Sequence, residues 1–220
     1  ASFFVAYSII IVFSTFARGG EDIRIVRDIP KYTEQGDYLS IEGAIFNAFK
    51  TVFIYSVTLS SVVFLLAKYG VFVILIGQEA NDLFLDLILA ITPVAFIYLS
   101  AEVFRGYQKI IFSQFVYGWS VLLPTLLIVA FRDDLGAGEI ASLFVKSSLL
   151  TALILVLLVV KQNKFFSNRQ KYQRHTLNII DSFFLIKVTV LISAWLPVWL
   201  FNFYGSEELV GMFIIANRFA

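Results

Sequence analysis

"IASLFVKSSLLTALILVLLVV", Ile140–Val160, runs directly into "KQNKFFSNRQKYQRHTLNIID", Lys161–Asp181. The first stretch carries one charge, Lys146, and is long enough to cross a bilayer, which takes about 20 apolar residues in a helix. The second carries Lys161, Lys164, Arg169, Lys171 and Arg174 against a single carboxylate, Asp181. An apolar helix ending in a basic loop is the pattern of a membrane span whose end lies in the cytoplasm, where loops are enriched in Lys and Arg.

The pattern recurs along the chain. Apolar runs at Ala1–Phe16, Thr51–Ala67 (reaching back to Ile45 if Lys50 snorkels), Leu83–Ala101, Ile110–Phe131 and Ser182–Phe203 predict further spans, and another begins near Leu209. Val71–Gly77 is apolar but too short to cross; it reads as the end of the second span or an interfacial turn after Gly70. If Ala1–Phe16 ends inside, the inside loops are Ala17–Lys50, Glu102–Lys109 and Lys161–Asp181, and they hold twelve of the 17 Lys and Arg residues. The outside loops hold only Lys68 and Arg132, beside Glu79, Asp82, Asp133, Asp134, Glu139, Glu207 and Glu208. The expected fold class is therefore all-α, a polytopic transmembrane helix bundle.

Composition agrees. Hydrophobic residues fill 59% of the 220 positions, charged residues only 15%, and mean hydropathy is +0.84. A soluble domain carries about 25% charged residues. A net charge of +1 gives no sign of a nucleic-acid partner. Without cysteine there is no disulfide or thiolate metal site, and the one histidine, His175, lies in a basic loop, so neither metal nor cofactor is expected. Both ends of the sequence fall inside apolar runs and read as cuts through transmembrane helices.

Ionisable residues at membrane depth are costly and are functional candidates by default. Lys187 lies near the start of the sixth span, on a stripe with Leu191, Ala194 and Val198 and opposite Ser182, Thr189 and Ser193. It is either a cavity cation or a lysine snorkelling to the interface. Lys146 favours snorkelling. Asp86, Pro93 and Ser100 recur every seven residues and predict either a polar, kinkable stripe along a cavity or an interfacial carboxylate. Gln114, Gly118 and Thr125 lie close to one line, explained equally by packing or a cavity. Glu102 and Arg105 are spaced for a helix-end ion pair, and Trp195, Trp199 and Tyr204 for an aromatic belt. No catalytic constellation or phosphate-cradling glycine loop is present, so no enzymatic activity is expected.

Three stretches resemble a known family. "ARGGEDIRIVRDIPKYTEQGD" (Ala17–Asp37) resembles the signature after the second helix of the multidrug/oligosaccharidyl-lipid/polysaccharide flippase superfamily, "AEVFRGYQK" (Ala101–Lys109) the end of its fourth helix, and "SEELVGMFIIANRFA" (Ser206–Ala220) the entry to its eighth. The resemblance is closest to the polysaccharide, O-antigen-type branch. It implies a fragment of a two-lobe flippase fold: residues 1–160 as helices two to six of the N-terminal lobe, 161–181 as a cytoplasmic basic inter-lobe linker, and 182–220 as the start of the C-terminal lobe. The seventh helix of the family often opens with a proline-containing motif, whereas here its only proline is Pro197. "ASFFVAYS" (Ala1–Ser8) and "GMFIIANR" (Gly211–Arg218) align without gaps, as a lobe repeat predicts.

The resemblance further implies a transporter of the cell inner (plasma) membrane that flips lipid-linked oligosaccharide or polysaccharide precursors by alternating access. Its expected partners are that substrate, membrane lipid and the polysaccharide polymerase machinery. Lys187, Arg218, Arg24 and Arg27 become candidate cavity cations for a pyrophosphate, and Asp86 a candidate ion-coupling carboxylate. A multidrug or cation exporter of the same superfamily, which favours acidic cavity residues, and a polytopic membrane enzyme of polysaccharide assembly remain the alternatives.

Overall fold

The computed structural model describes residues 2–73, 77–131, 135–163 and 182–204, apart from the side chains of 2, 182, 183, 186, 198 and 201–204. Every regular element among the described residues is a helix, as expected where lipid offers the backbone no hydrogen-bond partners.

Helix α1, Ser2–Arg18, ends at Gly19 and Gly20, whose φ angles of 53° and 84° are in the left-handed region open to glycine. Helix α2, Glu21–Glu34, leaves at a 51° bend and opens with Glu21 and Asp22, acids suited to a helix N-terminus. After Gly36 the carboxylate of Asp37 caps helix α3, Tyr38–Lys68, accepting from the Ser40 amide at 3.0 Å. The expected inside loop Ala17–Lys50 is therefore corrected to an elbow, an amphipathic helix and the first turns of a 31-residue helix. A run of charges need not be a loop when its members pair within one helix, as Arg24 does with Glu21 at 2.8 Å and Asp28 at 3.7 Å.

Gly70 turns the chain after α3, and the Phe72 ring packs against Phe13 and Phe84. Helix α4, Gln78–Leu87, passes through a 3-10 turn, Ile88–Ala90, into helix α5, Ile91–Gly106. The turn contains the Leu89 carbonyl, the one that the Pro93 ring would crowd in a regular α-helix. The phase changes there, so the expected stripe divides: Pro93 and Ser100 are buried and Asp86 is exposed. The expected span Ile110–Phe131 is broken in two, α6 (Ile110–Trp119) and α7 (Leu123–Val129), bent by 47° with Pro124 in the first turn of α7. Gln114 and Gly118, both on α6, face outward, while Thr125 of α7 is buried against Ser147 of α8, Ala137–Asn163, their hydroxyls 2.7 Å apart. Helix α9, Ser182–Tyr204, coincides with the expected sixth span.

Helix α5 is the centre of the bundle, touching α1, α2, α3, α6 and α8. Its contact with α2 is backbone-close: a Cβ added at Gly106 would lie 2.9 Å from Ile29 Cδ1 and 3.3 Å from the Ile25 carbonyl oxygen. The outward faces of α3 and α8 are as apolar as the core, with Phe53, Ile54, Leu65, Leu149, Leu153 and Leu157 all exposed. Continuous apolar faces of that kind are solvated by lipid rather than water. Among the described residues Tyr38–Lys68, Gln78–Gly106 and Ala137–Asn163 are long and apolar enough to cross a membrane, and the number of such spans there reaches five if each bent pair is one span. Residues 164–181 of the expected linker, the expected span from Leu209 and the second copy of the repeat lie outside the described residues.

Candidate functional site

Helices that bury charge must satisfy it internally, because an unpaired ion in low dielectric costs several kcal/mol. Arg18, the last residue of α1, is 1% exposed. Its Nη2 donates to Thr15 Oγ1 at 2.6 Å and its Nε to the Ser14 carbonyl at 3.3 Å, while the guanidinium lies over the Tyr98 ring at 4.9 Å. Nη1 stands 3.1 Å from Asp22 Oδ2, across the glycine elbow. The elbow thus brings an i,i+4 pair together although the helix is interrupted between its members.

The same Asp22 oxygen accepts from Lys187 Nζ of α9 at 2.5 Å. Lys187 also lies 4.0 Å from Glu102 Oε1 of α5, and Glu102 Oε2 stands 3.1 Å from Arg105 Nη1. The result is a chain of alternating charge, Arg18–Asp22–Lys187–Glu102–Arg105, drawn from α1, α2, α9 and α5. A second chain, Glu21–Arg24–Asp28–Arg27, stays within α2. Together the two hold five cations and four carboxylates, so every buried cation already has a carboxylate beside it.

Polar contacts continue around this end of the bundle. Lys109 Nζ donates to Gln162 Oε1 at 2.9 Å, and the Tyr107 hydroxyl donates to Asn163 Oδ1. Burial, with the Glu42 carboxylate adding to it, pushes the Tyr107 phenol up to about 12. At the α2–α3 junction the Ser40 hydroxyl and amide hold the Asp37 carboxyl below its ordinary value.

The candidate residues fall in different places. Lys187 is in the interhelical chain, and Arg24 is in the α2 chain, buried between two carboxylates. The Arg27 side chain is 65% exposed beside Asp28. Arg218 lies outside the described residues. Asp86 is exposed at the other end of its helix, with Oδ2 3.9 Å from where a Gly138 Cβ would sit, and belongs to neither chain. Lys146 is exposed, as a snorkelling lysine is.

Arg18, Asp22 and Glu102 are central here, although the sequence presents them as a loop cation, a loop acid and a helix-end pair. The i,i+4 spacing of Arg18 and Asp22 is a visible signal; their junction with Lys187 has none. Trp195 and Trp199, expected in an interfacial belt, contact α1: Trp199 Nε1 donates to Ser8 Oγ at 2.7 Å, and the Trp195 ring stands edge-on to Tyr7 at 6.2 Å. Comparison with known protein families, curated proteins and solved structures finds no match to this chain.

Proposed function

We propose that this chain is part of a transporter of the cytoplasmic membrane that flips lipid-linked oligosaccharide or polysaccharide precursors by alternating access. The observation that carries the reading is the interhelical charge chain, buried in a bundle whose outer faces suit lipid. Charges enclosed among apolar helices are costly and are functional candidates by default. Two of the stretches that resemble flippases supply the chain's members: Arg18 and Asp22 flank the glycine elbow, and Glu102 and Arg105 precede the close-packed Gly106.

In this reading Lys187, Arg24, Arg27 and Arg218 serve the pyrophosphate, and Asp86 is the coupling carboxylate. An anionic substrate engages Lys187 or Arg24 by displacing a carboxylate, since both cations are already paired. One observation favours the cation-exporter alternative: Glu21, Asp22, Asp28 and Glu102 are four buried acids, more than hydropathy alone leads one to expect.

Reconstitution of the full-length protein in vesicles decides between them. A fluorescent polyprenyl-pyrophosphate oligosaccharide should become accessible to an impermeant quencher only when the protein is present. Acceleration of lipophilic-cation efflux alone would favour the exporter, and neither activity would remove the transport reading. Orientation is tested separately. Single cysteines at Gln173 and Asp134, in a chain that has no cysteine of its own, should label from opposite sides.

A further inference from the structure

We propose that Lys187 is a releasable latch that holds α9 against the α1–α2 elbow and the end of α5. Among the described side chains of α9 only Val188 is buried, and Leu185, Val190, Leu196 and Leu200 are exposed. The main neighbour of α9 is α1. The apolar side chains on this seam, Leu191, Trp195 and Trp199, are only partly buried, and specific polar contacts hold it at both ends: Lys187 with Asp22 and Glu102 at one, Trp199 with Ser8 at the other.

The charge pairing makes the lower contact releasable. If α9 moves away, Asp22 keeps Arg18 at 3.1 Å and Glu102 keeps Arg105 at 3.1 Å, so neither buried carboxylate is orphaned. The group that loses its partners is Lys187, whose side chain is 26% exposed and can take up water in exchange. A buried ion pair normally resists opening because one partner stays behind uncompensated. Here both partners left behind are already compensated. The latch closes beside the elbow itself, since a Cβ built at Gly20 would lie 3.8 Å from Phe184 Cβ of α9. The latch does not depend on the transport reading; only its use, as the closure of one end during alternating access, rests on that reading.

Disulfide trapping in the full-length protein in lipid nanodiscs, with any cysteine outside this chain replaced, tests it. The Cβ separation at Gly20 and Phe184 is the ordinary one for a disulfide, so Gly20→Cys with Phe184→Cys should cross-link rapidly on mild oxidation. Phe16→Cys with Phe184→Cys, replacing rings 6.2 Å apart, is a second reporter that leaves the glycine conformation alone. Lys187→Gln should slow both by about tenfold or more, the scale of a lost charge-assisted contact, and Lys187→Arg should restore most of the rate. Tyr7→Cys with Trp195→Cys, replacing rings 6.2 Å apart farther along α9 and leaving the Trp199–Ser8 bond in place, should cross-link within about twofold of its own rate in the Lys187→Gln background. Unchanged cross-linking of both lower reporters in Lys187→Gln overturns the latch, and so does equal loss at both ends, which would make Lys187 general packing. Neither outcome bears on whether the protein flips a lipid, and failure of flipping leaves the cross-linking result intact.

Discussion

The two charge chains differ in kind although they share helix α2. Glu21, Arg24, Asp28 and Arg27 pair along one helix, so their geometry is guaranteed whenever that helix forms. Asp22, Lys187 and Glu102 pair between helices, so their geometry depends on where α9 sits. The first chain lets a charged segment exist as a buried helix; the second ties separate helices into one arrangement. The difference separates charge that supports folding from charge available for switching. Asp22 is the test case, because it belongs to the second chain while holding Arg18 just across the elbow.

The largest expected effect follows from that double role. Asp22→Ala leaves the fully enclosed Arg18 guanidinium and the Lys187 ammonium without their shared carboxylate, and removing one partner of a buried ion pair costs about 3–5 kcal/mol. Lys187→Gln leaves no buried ion alone and should cost less, about 1.5–3 kcal/mol, the scale of one charge-assisted hydrogen bond. Unfolding of the two variants in mixed micelles measures the gap. Equal costs would break the distinction, because they would mean that Lys187 supports the core as much as Asp22 does.

Gly106 supplies the next test, since α2 packs backbone-close against α5 there. Gly106→Ala sets a methyl 2.9 Å from Ile29 Cδ1 and 3.0 Å from Ile29 Cβ. Overpacking of that kind costs about 1–3 kcal/mol. Adding Ile29→Ala removes the first contact and keeps the second but empties a fully buried site, so in a double-mutant cycle by thermal unfolding the pair should cost less than the sum of the two single changes. Full stability of Gly106→Ala alone would mean that the α2–α5 approach is not as close as the structure has it.

The same division explains how much could be read from the sequence. The apolar helices and the i,i+3 and i,i+4 pairs of α2 follow from local periodicity. The helix over Glu21–Glu34 is hidden from hydropathy because its buried face is built from ion pairs around Ile25 and Ile29. The Asp86–Pro93–Ser100 stripe assumes one helical phase, and the 3-10 turn at Ile88–Ala90 resets it. Lys187 is separated from Asp22 by 165 positions, beyond any local rule. The hydroxyls of α9 also mislead about its faces: Thr189 is exposed and donates to the Leu185 carbonyl of its own helix at 2.9 Å, so it needs no neighbouring helix.

The smallest effect lies at a purely local contact and sets the baseline for the others. Asp37 caps α3 through its own near neighbour, Ser40, with Oδ1 accepting from the amide at 3.0 Å and Oδ2 from the hydroxyl at 2.5 Å. Loss of such a cap typically costs about 1 kcal/mol, so Asp37→Ala should destabilise by roughly that at neutral pH, while Asp37→Asn, an equally good cap, should not. The hydroxyl and amide of Ser40 hold the folded carboxyl below its unfolded value. For a depressed acid the stabilisation is complete above the unfolded value, near 4, and is lost as pH falls through the lower folded one. The advantage of the native protein over Asp37→Ala should therefore be constant from neutral pH down to about 4.5 and narrow only below that. The advantage of Asp37→Asn over Asp37→Ala should persist throughout, because an amide does not titrate in this range. Stability curves of the three proteins across acid pH measure both gaps. A native advantage that already shrinks between pH 7 and 5 would mean that Asp37 acts through a partner other than Ser40, and that α3 begins in a less local contact than its cap implies.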